Sequence, residues 1–395
     1  MPSLRDVVIT HSQRTPVGSF QGSLSTIAAP DLGAAVIKSL LNQSEIASAS
    51  INEVIMGNVL SSGLGQAPAR QAALHAGLPN SVECLTINKM CGSGLKAIML
   101  GAQTIQTGMA DIIIAGGMEN MSLTPYLLPK ARSGYRLGHS RIIDSMIKDG
   151  LWDVYNDIHM GNCAEICARE RNYSREEQDA FAKKSYEKAI KAQQNGLFDN
   201  ELVPVDIPQR KGDVITVDTD EEPTRANFAK MPTLRPAFEK DGTVTAANAS
   251  KINDGAAAVI IQTAENVSKT VHSQFKIVAQ ASAAHEPEWF TTAPGKAISN
   301  VLKRANMKAA DIELWEINEA FAPVALAAIE DFDLDDSKVN VHGGAIALGH
   351  PIGASGARIV TTLLHAMERN NVQIGLATLC IGGGEASAMI VERIS

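Results

Sequence analysis

The sequence predicts an α/β fold of two similar βαβ halves, each with a mixed five-stranded sheet, and an inserted loop domain. Short β-branched runs alternate with Ala-rich stretches in the first 120 residues, which is typical of βαβ units and favours mostly parallel strands. The last third of the chain repeats this plan, and such repetition indicates a duplicated fold. The intervening stretch is richer in charge, Pro and turn residues, so we place it outside the two sheets.

The secondary structure of the first half follows from these runs. Predicted strands cover residues 6–10, 53–60, 82–88, 111–115 and 254–262. Predicted helices cover residues 31–42, 66–76 and 94–107. The run at 254–262 (DGAAAVIIQ) follows the inserted region, and we expect it to return to the first sheet as a buried strand.

The inserted region contains one clear helix, predicted for residues 174–195. Ser174 and Glu177 form a Ser-x-x-Glu pattern, which is a capping box at a helix start. We therefore divide the chain into three parts. They are an N-terminal half (1–120 with 249–271), a loop domain (121–248) and a C-terminal half (272–395).

The two halves are similar in short segments. CGSGLKAIML followed by DIIIAGG in the first half resembles GASGARIVTTLL followed by GLATLCIGGG in the second. Residues 313–317 and 374–379 are predicted strands of the second half. A duplicated α/β fold has a cleft between its halves, where ligands commonly bind.

Composition restricts the classes of partner. The net charge is −8 and no basic run is present, so we expect no nucleic acid partner, and an anionic ligand requires a local basic pocket. Five cysteines in a chain of this length argue against a disulfide framework and for a reducing compartment. The sequence contains no signal-peptide pattern and no apolar run of membrane-spanning length, so we expect a cytoplasmic protein without membrane contact.

Cys91 is the first candidate for catalysis. It lies in the segment NKMCGSG, where a predicted strand ends and a predicted helix begins. The positive end of a helix lowers the pKa of a nearby thiol, and the thiolate is the reactive form. The alternative is a buried structural cysteine at the end of a strand.

His350 lies in GGAIALGHPIGASG, at the position in the second half that corresponds to Cys91. An imidazole at that position can accept the proton of a nucleophilic thiol. A purely structural histidine beside Gly and Pro is the alternative.

Two further motifs follow predicted strands of the second half. In CIGGG, Cys380 precedes Gly382, whose backbone N–H can stabilise an oxyanion; a tight turn is the alternative. In NEAF, Asn318 can hold a water molecule as an oxyanion donor, or it caps a helix.

Together these motifs resemble the thiolase family. The resemblance runs from RTPVGSFQGSL near the start through NEAF and GHPIGASGAR to the final CIGGG. It implies a duplicated thiolase-type fold in which Cys91 attacks an acyl-CoA, His350 takes the thiol proton, and Cys380 exchanges a proton with the α-carbon of acetyl-CoA. One implied oxyanion hole consists of His350 and a water on Asn318, and the other of the N–H groups of Cys91 and Gly382.

The resemblance also implies the substrate. The segments HMG at 159–161 and EPEWFTTAP around Phe290 resemble acetoacetyl-CoA thiolases, so the implied reaction is the reversible condensation of two acetyl-CoA to acetoacetyl-CoA and CoA. A 3-ketoacyl-CoA thiolase for longer chains is the alternative. No prosthetic group is implied, and a homo-oligomer, dimer or tetramer, is expected with contacts in the loop domain.

Ligand contacts follow from the same resemblance. The implied CoA contacts are Leu151, His159, Met160, Tyr186, Arg225, Asn227, Lys230, Leu234, Ala247, Ser250 and Phe321. A potassium ion is implied at Tyr186, Ala246, Ala247, Ala249 and Ile346.

Other classes of protein fit the sequence less well. Ketoacyl synthases use a second His where this chain has Cys380. A dehydrogenase would need a Gly-x-Gly-x-x-Gly at a helix start with an acidic residue about twenty positions on, which the sequence lacks. A non-catalytic relict of the fold would be expected to lose at least one of Cys91, Asn318, His350 and Cys380.

Overall fold

A ten-stranded sheet joins the two halves of the chain in the computed structural model, which describes residues 4–268, 271 and 273–394. In chain order the strands are β1 (Val7–Arg14), β2 (Gly18–Ser19), β3 (Glu53–Gly57), β4 (Glu83–Ile87), β5 (Ile112–Asn120), β6 (Tyr126–Leu127), β7 (Ile143–Asp144), β8 (Trp152–Asp153), β9 (Ile158–His159), β10 (Val205–Ile207), β11 (Ile215–Val217), β12 (Asn253–Thr263), β13 (Phe275–Ala284), β14 (Leu314–Ile317), β15 (Ile374–Ile381) and β16 (Glu385–Arg393). The α-helices are α1 (Ala29–Ser44), α2 (Pro68–His75), α3 (Ser93–Gln106), α4 (Met160–Glu170), α5 (Arg175–Gln194), α6 (Ala293–Ala305), α7 (Ala322–Asp331), α8 (Ala345–Leu348) and α9 (Ile352–Asn370).

The strand order across this sheet is β14-β15-β16-β13-β1-β12-β5-β3-β4, with β2 paired to β12. β3 is parallel to β4 and β5, and β14 is parallel to β15. The central neighbours are antiparallel. The predicted mixed α/β fold is confirmed, but the expectation of mostly parallel strands is wrong. β15 and β16, for example, are joined directly by a short turn, and such a turn connects antiparallel strands.

The two halves meet where β1 pairs with β13. The N-terminal half contributes five long strands, from β4 to β1, as predicted. The C-terminal half contributes four strands, and in the fifth position there is a single parallel bridge between Trp315 and Val339. The sheet therefore shows the duplication, except that the fifth strand of the second half is reduced to one bridged residue pair.

Helices α3 and α9 occupy equivalent positions in the two halves and pack against each other. A Cβ atom added to Gly94 would lie 2.7 Å from the backbone N of Ala357, and one added to Gly356 would collide with the backbone of Leu95. Only glycine permits two backbones to approach so closely. Because Cys91 and His350 immediately precede these helices, the close helix pair brings the two residues to one cavity.

The buried carboxylate of Glu119 changes the ends of two predicted strands. It accepts the N–H groups of Val59 at 3.0 Å and Leu60 at 3.1 Å, so β3 ends at Gly57 rather than at residue 60. β5 continues past residue 115 to carry Glu119 to this position. The same carboxylate accepts the N–H of Gly353 at 2.9 Å, which links β5 to the start of α9.

The inserted region consists of α4, α5 and three two-stranded sheets in the described part of the chain. Ser174 Oγ accepts the N–H of Glu177 at 3.1 Å, and the Glu177 carboxylate accepts the N–H of Ser174 at 2.8 Å, which confirms the predicted capping box. The buried guanidinium of Arg14 in β1 binds Glu201 at 2.5 Å and Asp220 at 2.7 Å. These ion pairs tie the region to the first half, since a buried charge is retained only where it is paired.

The division into three domains stays a prediction. No helix within the described ranges is long and apolar enough to cross a membrane.

Candidate active site

A cavity of about 580 Å³ lies where the two halves and the inserted region meet. Cys91 lines it from the first half, and His350 and Gly382 line it from the second. Most of its surface is apolar. The residues predicted to bind CoA that also line it are Leu151, His159, Met160, Arg225, Ser250 and Phe321.

Cys91 is presented by a tight turn between β4 and α3. Met90 has a φ of 46°, which is rare for a residue with a side chain and is commonly found at functional sites. The N–H of Ser93 donates to the Met90 carbonyl at 3.0 Å, and Ser93 Oγ accepts the N–H of Lys89 at 2.8 Å. A Cβ atom at Gly92 would collide with Ile381. Glycine at position 92 therefore allows the turn after β15 to lie directly against Cys91.

The pKa of Cys91 differs from the expectation drawn from its helix. Burial raises the pKa of this thiol to about 11, and the backbone N–H groups of Gly382 and of Cys91 itself oppose that rise. The prediction of a lowered pKa is wrong, because the protein atoms packed around the sulfur disfavour its charged form more than the start of α3 favours it. The resting nucleophile is therefore a thiol, and its proton has to be accepted when it reacts.

His350 is held so that one ring nitrogen is free to accept that proton. Its Nδ1 lies 2.6 Å from Ser355 Oγ, and the same Oγ lies 2.9 Å from the carbonyl oxygen of Pro351. A carbonyl can only accept, so Ser355 donates its single hydrogen to Pro351 and accepts Nδ1–H from His350. Nε2 is left as a bare acceptor, and it has no hydrogen-bond partner among the described residues.

The environment keeps this imidazole neutral. Burial lowers the pKa of His350 to about 3, and the charge of Arg358 acts in the same direction. The backbone N–H of His350 donates to Asn253 Oδ1 at 2.9 Å, which fixes the residue in place. His350 is thus an uncharged base at neutral pH.

Cys380 and Asn318 lie at the ends of adjacent parallel strands. Cys380 is fully buried in β15, and burial, followed by the proximity of Cys91, raises the pKa of its thiol well above the ordinary value. The N–H of Asn318 donates to Thr378 at 3.0 Å, while its side-chain Oδ1 and Nδ2 have no partner in the part of the chain that the structure describes. A buried amide without a protein partner costs about 1–3 kcal/mol unless a ligand or water satisfies it.

These groups together suit acyl transfer. A nucleophilic thiol, a neutral imidazole acceptor, a second thiol and backbone N–H donors are the components that formation of a covalent acyl intermediate requires. Gly382 lines the same cavity as Cys91, and its backbone N–H opposes the rise in the pKa of that thiol. The catalytic roles of all five predicted residues stay proposals at this point.

Five predicted CoA contacts do not line the cavity. Tyr186 and Ala247 are buried in the hydrophobic cluster that also contains Ile346. Asn227 Oδ1 accepts the N–H of Lys230 at 3.2 Å, so these two residues close a local turn. The Leu234 carbonyl accepts from Arg175 at 3.1 Å. For these residues CoA contact stays a prediction.

Several residues that line the cavity were not predicted from the sequence. Phe238 stacks on the ring of His159 with centroids 4.8 Å apart and contacts Phe321 edge-on at 6.0 Å. A Cβ atom at Gly161 would collide with Phe238, so the glycine of the HMG segment makes room for that ring. Phe238 follows an irregular stretch without periodicity, and no sequence signal pointed to it. Lys251 was also missed, although it directly follows the predicted contact Ser250.

At two of the five residues predicted to bind potassium, the backbone carbonyl oxygen already accepts a hydrogen bond from a lysine. The ammonium of Lys251 donates to the carbonyl oxygens of Ala246 at 2.6 Å and Ala249 at 3.0 Å. The residues described contain no cluster of three or more His, Cys, Asp or Glu side chains that could hold a metal ion.

Comparison with known proteins identifies relatives along the whole chain. The family description "Thiolase, N-terminal domain" matches residues 7–265, and "Thiolase, C-terminal domain" matches residues 271–393. The acetyl-CoA acetyltransferase of Pseudomonas aeruginosa is 51% identical and covers 99% of this chain and 100% of its own. That of Cupriavidus necator is 52% identical with the same coverage.

Solved structures are equally similar. The acetyl-CoA acetyltransferase of Bacillus anthracis superposes with a TM-score of 0.96 at 37% identity, covering 100% of both chains. Acat5 thiolase from Ascaris suum in complex with coenzyme A has a TM-score of 0.93 at 44% identity, covering 99% of this chain and 100% of that one.

Proposed function

The chain belongs to the thiolase family, and on this premise we propose that it is an acetyl-CoA C-acetyltransferase. The reaction is the reversible condensation of two acetyl-CoA molecules to acetoacetyl-CoA and CoA. The observation that carries the proposal is that the Cys91 thiol and His350, with its bare Nε2, line one cavity. Relatives at 51% and 52% identity over the whole chain are named acetyl-CoA acetyltransferases, which supports the short acyl group.

In the first half-reaction Cys91 attacks the thioester carbonyl of acetyl-CoA. Because the resting pair is a thiol and a neutral imidazole, the Cys91 proton passes to Nε2 of His350 as the new S–C bond forms. The N–H groups of Cys91 and Gly382 stabilise the negative charge on the carbonyl oxygen. The bond to the sulfur of CoA then breaks, which leaves acetyl-Cys91.

Cys380 acts first as an acid and then as a base. His350 keeps its new Nε2–H for the next oxyanion, so the departing CoA thiolate takes its proton from Cys380. The Cys380 thiolate then removes a proton from the methyl group of a second acetyl-CoA. The enolate oxygen accepts hydrogen bonds from His350 and from a water held by Asn318. The enolate carbon attacks acetyl-Cys91, and the released sulfur recovers its proton from His350.

The walls around Cys380 favour a small acyl group. Met160 and Phe290 pack with Cys380 in one buried apolar cluster, and Phe290 meets Phe321 edge-on at 6.1 Å. Both Met160 and Phe290 also line the cavity. A longer acyl chain would have to displace these side chains from a packed core, which costs about 1–3 kcal/mol.

A substrate series tests the proposed function. The purified protein is given free CoA with acetoacetyl-CoA, 3-ketohexanoyl-CoA or 3-ketodecanoyl-CoA, and loss of each 3-ketoacyl-CoA is followed. We expect kcat/KM to be highest for acetoacetyl-CoA and about tenfold or more lower for the longer substrates. Equal or faster cleavage of 3-ketodecanoyl-CoA would replace the proposal by the longer-chain thiolase. Absence of cleavage with all three would remove the catalytic assignment.

Ser355 is proposed to position His350 through Nδ1. Replacing it by alanine leaves Nδ1 without its acceptor, so the ring loses its preferred tautomer, and we expect kcat to fall about tenfold or more with KM nearly unchanged. Thr361→Ser, a mild change on the same helix, is the matched control and should retain activity. Thermal unfolding of both variants separates this effect from a loss of structure. An unchanged kcat in Ser355→Ala would show that the hydroxyl does not orient the base.

Coenzyme A is the substrate and product that the cavity is proposed to hold. Arg225 lines the cavity, is largely exposed and pairs with Glu221 only at 3.4 Å, so it is available for a phosphate group of CoA. We do not include potassium among the ligands, because Lys251 already donates to two of the predicted carbonyls.

A homo-oligomer, dimer or tetramer, remains part of the proposal. It is supported by exposed apolar side chains at Tyr126, Leu128, Leu137 and Ile142 in the inserted region, because exposed apolar surface is often buried at a contact between subunits. A cytoplasmic location and a role in fatty acid metabolism stay predictions.

A further inference from the structure

Lys251 directs a charged side chain at backbone carbonyls rather than at solvent. Its ammonium donates to the Ala246 carbonyl at 2.6 Å and the Ala249 carbonyl at 3.0 Å, and it lies 5.6 Å from the centre of the Tyr186 ring. Carbonyl oxygens and the face of an aromatic ring both attract a cation. Three of the five residues predicted to surround potassium are therefore engaged by this single ammonium.

The carbonyls that Lys251 contacts belong to a segment that forms one wall of the cavity. Thr245, Ala246, Ala249 and Ser250 all line the cavity. The N–H of Ser250 donates to Ala320 at 2.9 Å, so the segment is fastened to the NEAF motif. A cation held among its carbonyls fixes the curvature of this wall, because carbonyl dipoles that point together repel each other unless a positive charge lies between them.

A carboxylate connects Lys251 with the catalytic histidine. Glu222 is buried, lines the cavity, and accepts from Asn253 Nδ2 at 3.3 Å. Asn253 Oδ1 in turn accepts the backbone N–H of His350. Burial lowers the pKa of Lys251 to about 8, and the negative charge of Glu222 opposes this change. Glu222 therefore favours the charged form of Lys251.

We propose that the ammonium of Lys251 is a built-in cation that takes the place of a bound potassium ion and holds the 245–250 wall of the cavity in shape. The enzyme then needs no monovalent metal ion for activity. Lys251 is a positioning residue in this proposal, since it acts on the substrate through the backbone of residues 246–249. The inference rests on the proposed function only for its kinetic readout.

Two variants test whether the site is a cation site. Lys251→Ala removes the ammonium and opens space for a metal ion, whereas Lys251→Met removes the charge but keeps much of the volume. Each variant and the wild type are assayed for acetoacetyl-CoA thiolysis in potassium chloride and in sodium chloride at equal ionic strength. Thermal unfolding is measured in the same two salts, because it reports binding of the ion without requiring catalysis.

The wild type is expected to have the same kcat/KM in both salts. Lys251→Ala in sodium chloride should lose about tenfold or more in kcat/KM, mainly through KM, because hydrogen bonds from a charged donor are lost. Potassium chloride should restore part of this loss and raise the melting temperature of Lys251→Ala. Lys251→Met should be impaired in both salts and gain nothing from potassium.

Three results would overturn the inference. Stimulation of the wild type by potassium over sodium would mean that a metal ion binds in spite of the lysine. Wild-type kinetics of Lys251→Ala in sodium would mean that the ammonium holds nothing in place. Equal rescue of Lys251→Ala and Lys251→Met by potassium would mean that the ion acts at a site other than the space left by the ammonium. A wild type inactive on all three 3-ketoacyl-CoA substrates would contradict the proposed function instead, and the melting temperatures would still decide the cation question.

Discussion

Cys91→Ala is expected to reduce acetoacetyl-CoA thiolysis by at least about four orders of magnitude, because no other group can form the acyl-enzyme. Cys91 lines the same cavity as Gly382 and His350, and His350 offers a bare Nε2 there. Serine is a less informative replacement, because its hydroxyl keeps a weak nucleophile at the same point. The measurement is the initial rate of acetoacetyl-CoA loss with saturating CoA.

Cys84→Ala provides the control for Cys91. Cys84 is a half-buried thiol on the neighbouring strand β4, and its Sγ lies 3.7 Å from the Val82 carbonyl outside the cavity. This variant should retain wild-type activity. Mass spectrometry after incubation with acetyl-CoA should find one acetyl group on Cys91 in the wild type and none in Cys91→Ala. Acetylation of another residue, or substantial turnover by Cys91→Ala, would contradict the nucleophile assignment.

Cys380→Ala is expected to separate the two half-reactions. Without the second thiol no base removes the α-proton, so we expect turnover in the condensation and thiolysis directions to fall about a thousandfold. Acetylation of Cys91 should persist, although more slowly, because CoA can leave as a thiolate without being protonated first. The measurements are steady-state turnover and the amount of acetyl-enzyme formed from acetyl-CoA.

Cys167→Ala is the matched control for Cys380. Cys167 is also a fully buried thiol, on α4, and it is not part of the apolar cluster that joins Cys380 to Met160 and Phe290. The Cys167→Ala variant should turn over at a rate close to that of the wild type. Thermal unfolding will show whether this variant is folded. Near-normal turnover by Cys380→Ala would mean that another base removes the α-proton of acetyl-CoA. Failure of Cys380→Ala to become acetylated would mean that this thiol is indispensable in the first half-reaction as well.

Much of the candidate site could be predicted from the sequence, because it is built from chain-local features. A thiol or imidazole directly before an Ala- and Gly-rich helix, repeated in two halves, was enough to pair Cys91 with His350. The glycines of GSG and ASG explain the pairing physically, since they let α3 and α9 touch. In CIGGG the glycine run after a predicted strand indicated Gly382 as an N–H donor, whereas the role of Cys380 followed from the family resemblance.

The directions of the strands could not be read in the same way. Alternating strands and helices suggested parallel neighbours, but β12 returns after the inserted region and lies antiparallel to both β1 and β5. A long connection does not restrict the direction in which the next strand enters the sheet. Register and direction are therefore set by which apolar faces become buried together.

The sequence by itself determined which residues are candidates for the chemistry and which elements bear them, because propensity, turn residues and motif spacing are local. Only the tertiary structure decided their electrostatic state. The pKa of Cys91 rises rather than falls, and His350 stays neutral, because burial in a shared cavity depends on residues far apart in the chain. The tertiary structure also places the Lys251 ammonium within hydrogen-bond distance of the carbonyls of residues 246 and 249. A lysine next to a predicted contact has no sequence signature for such a role, since the long side chain can reach in many directions and packing alone selects one.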